Sequence, residues 1–88
     1  MSQTDLRATV TIPLQFPVTV EAVTYSELTM RRSKTKDNLA ASKVNGSDAE
    51  RGVFMLARLC DVSPEVIEEL DDLDAQALGK QLEAFQGR

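Results

Sequence analysis

Eighty-eight residues with 42% hydrophobic content fit one small domain and leave little room for a deep catalytic cleft with its own supporting shell. There is no His and one Cys, Cys60, which removes His-based triads, Cys–His nucleophile pairs, the usual His/Cys zinc sites and any internal disulfide. The formal net charge of -4 is uneven: residues 1–60 hold eight Lys/Arg against six Asp/Glu, and residues 61–88 hold two against eight.

Residues 1–8 are polar and are expected to form a flexible N-terminal tail ahead of a single domain over 9–88. The start, MSQTDLRATV, has neither the charged nor the apolar region of a secretion signal, and no apolar run is long enough to span a bilayer. A cytoplasmic protein without membrane contact is the expectation. From Thr9, Val10, Ile12, Leu14, Phe16, Val18 and Val20 share one parity, which predicts an extended chain with one buried face. Pro13 and Pro17 make it an edge strand, or two short strands with a bend. Val23 to Met30 is also strand-like, so a β-hairpin is the economical reading. Neither Glu21 nor Ala22 favours a positive φ, so the geometry of the turn stays open, a turn longer than two residues being one alternative.

After Arg32 the pattern turns helical. Ser33 or Thr35 can cap a helix carrying Leu39, Ala40, Ala41 and Val44, and Asn45-Gly46 can stop it. Ser47 with Glu50 forms a capping box, and VFMLARLC at 53–60 is apolar nearly all round, the mark of a central core helix. Ser63-Pro64-Glu65 opens a third helix with Val66, Ile67 and Leu70 as its apolar face. Asp71, Asp72 or Asp74 can cap a fourth, in which Ala75, Leu78, Leu82 and Phe85 make an apolar stripe, Gly79 is a weak point and Gly87 an end. The fold class is therefore α+β: an N-terminal hairpin followed by about four short helices.

The candidate chemistry is sparse. The four glycines form no phosphate-binding pattern, and no catalytic, cofactor or metal site is predicted. Seven carboxylates between Asp61 and Asp74 lack the alternation and central Gly of a calcium loop, and read as helix-start acids facing water. Cys60 reads as a small apolar core residue. Arg31, Arg32, Lys34 and Lys36 crowd into YSELTMRRSKTK. They form a solvated strand-to-helix junction, a docking point for acidic protein, or a phosphate-binding patch. Scarce aromatics and an acidic C-terminal third weigh against nucleic acid. Some of the apolar helical residues, among them Leu78, Leu82 and Phe85, are candidates for a partner surface alongside the basic cluster.

The order of motifs resembles a known family. FPVTVEAVTYSELTMRRSKTKDNLAA is similar to the start of small tail assembly chaperones of Mu-like, contractile-tailed phages. These run from a P-V-x-V-x-G strand into a Y-x-E-L-x-L-R-R strand. SDAERGVFMLARLCDVSPEVIEELDDLDAQALGKQLEAFQGR resembles their helical part, through LA-x-L-C-x-V-x-P-E-x-I-x-x-L and a closing L-x-x-A-F-Q-G. The likeness covers residues 16–88; it departs at Ala22, where the family often has Gly. The resemblance implies a non-catalytic assembly factor that binds the tape-measure protein in the host cytoplasm and is missing from the finished virion. The tail tube protein and a frameshifted longer form of the chain are further implied partners. The Pro-punctuated 9–20 segment adds an expectation of homo-oligomers through strand edges. A nucleic-acid-binding regulator using the basic cluster and a structural tail or baseplate component are the alternatives.

Overall fold

The computed structural model describes residues 4–87 and is an α+β fold: a two-stranded antiparallel hairpin, then four helices, of which α2, α3 and α4 pack on the hairpin and α1 packs on α2. Met1–Gln3 of the expected tail lie outside the described residues, as does Arg88. Strand β1 (Thr9–Val20) pairs with β2 (Val23–Arg31). The two are joined by a two-residue turn, the shorter of the alternatives the sequence leaves open. Glu21 (φ 50) and Ala22 (φ 65) adopt the left-handed conformation that a type I′ turn demands, without a glycine to ease it. The twist of the paired strands sets the turn type here, against local preference.

The pairing carries one large irregularity. Pro13 faces Glu27 and Val18 faces Tyr25, so Leu14 to Pro17 lie opposite Ser26 alone. The sequence explains why. The inward residues of β1 keep one parity throughout, whereas those of β2 switch from Tyr25 to Leu28 and Met30, and an odd insertion brings both back to one face. Ile12, Leu14 and Val20 are buried as the alternation predicts, but Phe16, inside the bulge, is turned out and 51% exposed. Thr11–Thr29 and Thr19–Thr24 hydroxyl pairs, each at 2.9 Å, line the opposite, outer face.

Helix α1 (Thr35–Ser42) starts one residue from both predicted caps: Lys34 is the N-cap, and the Asp37 carboxylate accepts from its amide at 2.8 Å. It ends before Asn45-Gly46, so Val44 follows the helix instead of extending its stripe. Helix α2 (Asp48–Cys60) opens with the predicted capping box, Glu50 N donating to Ser47 Oγ at 3.2 Å and Ser47 N to Glu50 Oε1 at 3.0 Å. Asp61, left-handed at φ 56, closes it and turns the chain into α3 (Pro64–Glu68), where Ser63 and Pro64 sit at N-cap and N1. Helix α4 (Asp72–Phe85) is capped by Asp71, whose side chain accepts from Leu73 N at 3.0 Å.

Met30, Leu28, Met55, Leu59, Ile67, Leu78 and Phe85 form the centre of the core between hairpin and helices. Cys60 packs there, and burial pushes its thiol pKa up to about 11, so it is an apolar filler with little nucleophilic character. Asp37 and Asp74 are the two acids buried in the same interior. Asp74 is thus neither a cap nor one of the water-facing acids expected between residues 61 and 74. Its two carboxylate oxygens accept the bulge amides of Gln15 at 2.9 Å and Phe16 at 3.0 Å, fixing α4 to β1.

Candidate functional site

The basic cluster at the strand-to-helix junction divides in two. Arg31 donates both terminal guanidinium nitrogens to Asp37, each at 2.9 Å, and Arg58 of α2 adds its Nε at 2.6 Å. Hydrogen bonding from Arg31 above all holds the Asp37 carboxyl well below its usual range, against the opposing effect of burial; Arg58 and the Lys34 amide act in the same direction as Arg31. The acid that Arg31 hydrogen-bonds is therefore in α1, and Asp61 adds a smaller electrostatic effect on the same guanidinium. Arg32 donates to the backbone oxygens of Asp5 and, at 3.1 Å, Phe85, with its guanidinium 5.2 Å from the centroid of the Phe85 ring. Asp5 N also donates to Ala84 O at 2.9 Å. So Arg32 and Phe85, drawn from the two halves of the predicted partner set, meet each other beneath the surface.

Of the remaining predicted residues, Lys34 and Lys36 are exposed. Leu78 and Phe85 are 0% and 3% exposed, and Leu82 is half-buried against the core. In the folded chain the stripe of α4 faces the hairpin rather than solvent.

The open apolar surface lies elsewhere. A cleft of about 440 Å³ runs between the end of α1, the first half of α2 and the start of α3, lined by Val44, Val53, Phe54 and Pro64 together with Glu50 and Glu68. The local sequence dictates it. Met55, Leu56, Leu59 and Cys60 turn one side of α2 into the core, Val53 packs half-buried at the N-terminal end of that side, and Phe54 is left over beyond it. The left-handed turn at Asp61 brings Pro64 and Glu68 back beside them. An apolar excess on α2 was visible in the run VFMLARLC; which part of it would remain uncovered depends on where α1 ends and α3 begins.

The cleft is lined by apolar side chains and two carboxylates. Glu50 is ionised below its usual range because the Ser47 amide and hydroxyl hydrogen-bond to it. It thus serves the capping box, and no nucleophile lines the cleft beside it. Among the described residues no cluster of three or more potential ligands is arranged for a metal ion, and no helix is long and apolar enough to cross a membrane. An open apolar floor beside two carboxylates, of which Glu50 is held by its cap, suits the face of a protein helix better than an enclosed small molecule.

Neither a curated protein nor a solved structure matches the chain. The family model of phage tail assembly chaperone proteins, E, or 41 or 14, matches residues 11–87, from the third residue of β1 to just past the end of α4. With the match running through both the bulged hairpin and the helices that form the cleft, the chain belongs to the phage tail assembly chaperone family.

Proposed function

We propose that the chain holds a helical segment of the tape-measure protein in the cleft between α1, α2 and α3, keeping that long chain soluble until the tail tube forms around it. The observation that carries this reading is the cleft itself: among the described residues, Val44, Val53 and Phe54 form a half-buried apolar floor that stays open to solvent on one side. An amphipathic helix laying its apolar stripe there would bury surface on both sides, as helix-in-groove recognition does. The role is holding, without chemistry, in the host cytoplasm, and the protein leaves before the particle is finished. Phosphate binding is the weaker reading, because Arg31 and Arg32 are engaged by Asp37 and by backbone oxygens.

Co-expression with the adjoining tape-measure gene tests the proposal. The wild-type chain should raise the soluble yield of the tape-measure protein and co-purify with it. Val44→Asp, which puts a charge on the cleft floor outside any helix, should abolish co-purification while leaving the far-UV circular dichroism unchanged. Absence of any wild-type complex would overturn the assignment of the client, and a complex unaffected by Val44→Asp would overturn the assignment of the cleft.

A further inference from the structure

The chain just ahead of β1 lies against the open end of the hairpin and the last turn of α4, held there as a bound peptide would be. Asp5 N donates to Ala84 O at 2.9 Å, and Asp5 O accepts from the Arg32 guanidinium. The Asp5 carboxylate accepts from Gln81 Nε2 at 2.8 Å. Arg7 folds back on the same carboxylate, donating its amide at 2.9 Å, Nε at 3.1 Å and Nη2 at 2.7 Å, so the Asp-x-Arg unit fixes its own bend. The receiving groups are fixed from elsewhere. Phe85 belongs to the core, Arg32 follows β2 and lies over the Phe85 ring, and Gln81 stands on α4 one turn earlier. The segment itself brings no apolar side chain to that core: Leu6 is 82% exposed and the Arg7 side chain 67%. A segment with an apolar anchor would be part of the fold. One held by hydrogen bonds, each worth about 1 kcal/mol net, opens at small cost and can be replaced.

We propose that Arg32, Gln81, Phe85 and the Ala84 carbonyl form a peptide site, closed in the isolated chain by its own Thr4–Arg7, whose ligand is an extended partner segment carrying Asp-x-Arg. The ligand class is read from the present occupant. The Ala84 contact requires a free amide at the aspartate, which excludes a proline there. The Gln81 contact requires a short side-chain acceptor at the same position, and the arginine two residues on holds that acceptor in place. Arg32 reads the backbone: it has no carboxylate partner among the described residues and donates instead to the Asp5 and Phe85 carbonyls. The chain's own strap is a modest competitor, since Leu6 touches little. A partner segment that continues beyond the motif gains contacts on its flanks and displaces it. None of these residues lines the cleft between α1, α2 and α3, so the proposal depends neither on that cleft nor on the phage client.

Fluorescence anisotropy with a labelled, end-blocked TDLRA peptide, the sequence of Thr4–Ala8, tests this on the full chain. Asp5→Pro opens the site, because it removes the amide donor and the carboxylate together. Its far-UV spectrum should match the wild type, since residues 4–8 add nothing to the core. The peptide should bind Asp5→Pro with a dissociation constant on the order of 100 μM. It should bind the wild type at least about tenfold more weakly, because the attached strap competes at an effective concentration of several mM (about). Gln81→Ala added to Asp5→Pro, and separately a peptide carrying Asp5→Ala, should each lower the affinity at least about fivefold. No binding to Asp5→Pro, equal binding to Asp5→Pro and wild type, or an affinity indifferent to both of those changes would each overturn the site. A wild-type dimer in sedimentation velocity that excess peptide dissolves would make the occupant a second copy's strap and overturn the assignment to a partner. The cleft is judged separately, by co-purification of the tape-measure protein with Val44→Asp.

Discussion

The helical layer is tied to the hairpin at two places, each through a buried aspartate, and the two ties are built differently. Asp37, in α1, receives guanidinium groups from β2 and α2 and one amide. Asp74, in α4, receives two backbone amides from the bulge in β1. The first is a side-chain cluster whose arginines remain partly hydrated, with Arg31 38% and Arg58 37% exposed. The second solves a problem of the backbone, because amides freed by the bulge have no strand partner. A side-chain tie can be replaced by another side-chain arrangement of similar shape. A tie to the backbone can be replaced only by another acceptor in the same place.

The largest effect is expected from breaking the first tie. Asp37→Ala leaves two cations facing each other without their carboxylate and should destabilise the chain by about 3 kcal/mol, less than a fully buried pair because both arginines can hydrate. Urea unfolding measures it. Replacing Asp37→Leu together with Arg31→Met should recover part of the loss, since that apolar pair needs no charge compensation and the remaining cation, Arg58, is 37% exposed and can hydrate. Failure to recover anything would show that the cluster is as irreplaceable as the Asp74 contact, and the contrast would collapse. Acid sharpens the same comparison. The folded-state pKa of Asp37 lies below its ordinary value of 3.8, so the unfolded chain binds more protons in the window between the two. The stability contributed by Asp37 is complete above that ordinary value and is lost as pH falls from it towards the folded pKa. The urea midpoint should drop on acidification below about pH 4, and drop less in Asp37→Ala.

The second tie should break at lower cost. Asp74→Ala strands the amides of Gln15 and Phe16, but both residues lie at the surface and water can reach them after a small movement. About 2 kcal/mol of destabilisation is expected. Asp74→Asn should rescue little, because its amide group would point a donor at a donor. Hydrogen exchange gives the local view: the Gln15 and Phe16 amides should lose protection in Asp74→Ala and keep it in Asp37→Ala. Equal loss in both variants would mean that the two ties are one cooperative unit.

Much of this architecture was legible in the sequence, and what was not has a common cause. The alternation over 10–20, the Ser47–Glu50 box and the Ser63-Pro64 start are local signals, and each appears where the pattern put it. Phe16 obeyed the alternation in sequence but faces solvent, because the bulge that displaces it is set by a parity switch in the other strand. Asp74 looked like a cap or a surface acid, and its role depends on an amide pair nearly sixty positions away in the chain. Arg31 looked like free charge for the same reason: composition counts cations but does not pair them. Leu78 and Phe85 showed the correct helical stripe, yet a stripe alone does not say whether the hairpin or a partner covers it. The cleft was the least visible feature, since it is bounded by three helix ends and local pattern fixes ends poorly.

The smallest effects come from two residues that occupy each other's natural places, one on each side of the ties. Gly79 lies inside α4, and a Cβ added there would meet nothing within 4 Å. Gly79→Ala should stabilise the chain by about 1 kcal/mol through helix propensity alone. Ala22 sits in the hairpin turn at φ 65, where a Cβ crowds the following carbonyl. Ala22→Gly relieves that strain, although the glycine gives the unfolded chain more freedom, so a net gain of about 0.5 kcal/mol is expected. Ala22 lies in the turn past the end of β1, which runs four residues, about 13 Å, beyond Phe16, and it touches neither aspartate tie. Its gain should therefore be the same in the wild-type, Asp37→Ala and Asp74→Ala backgrounds. A gain that disappears in Asp74→Ala alone would show that the bulge and the turn share one register, and that α4 holds the whole hairpin in place through Asp74.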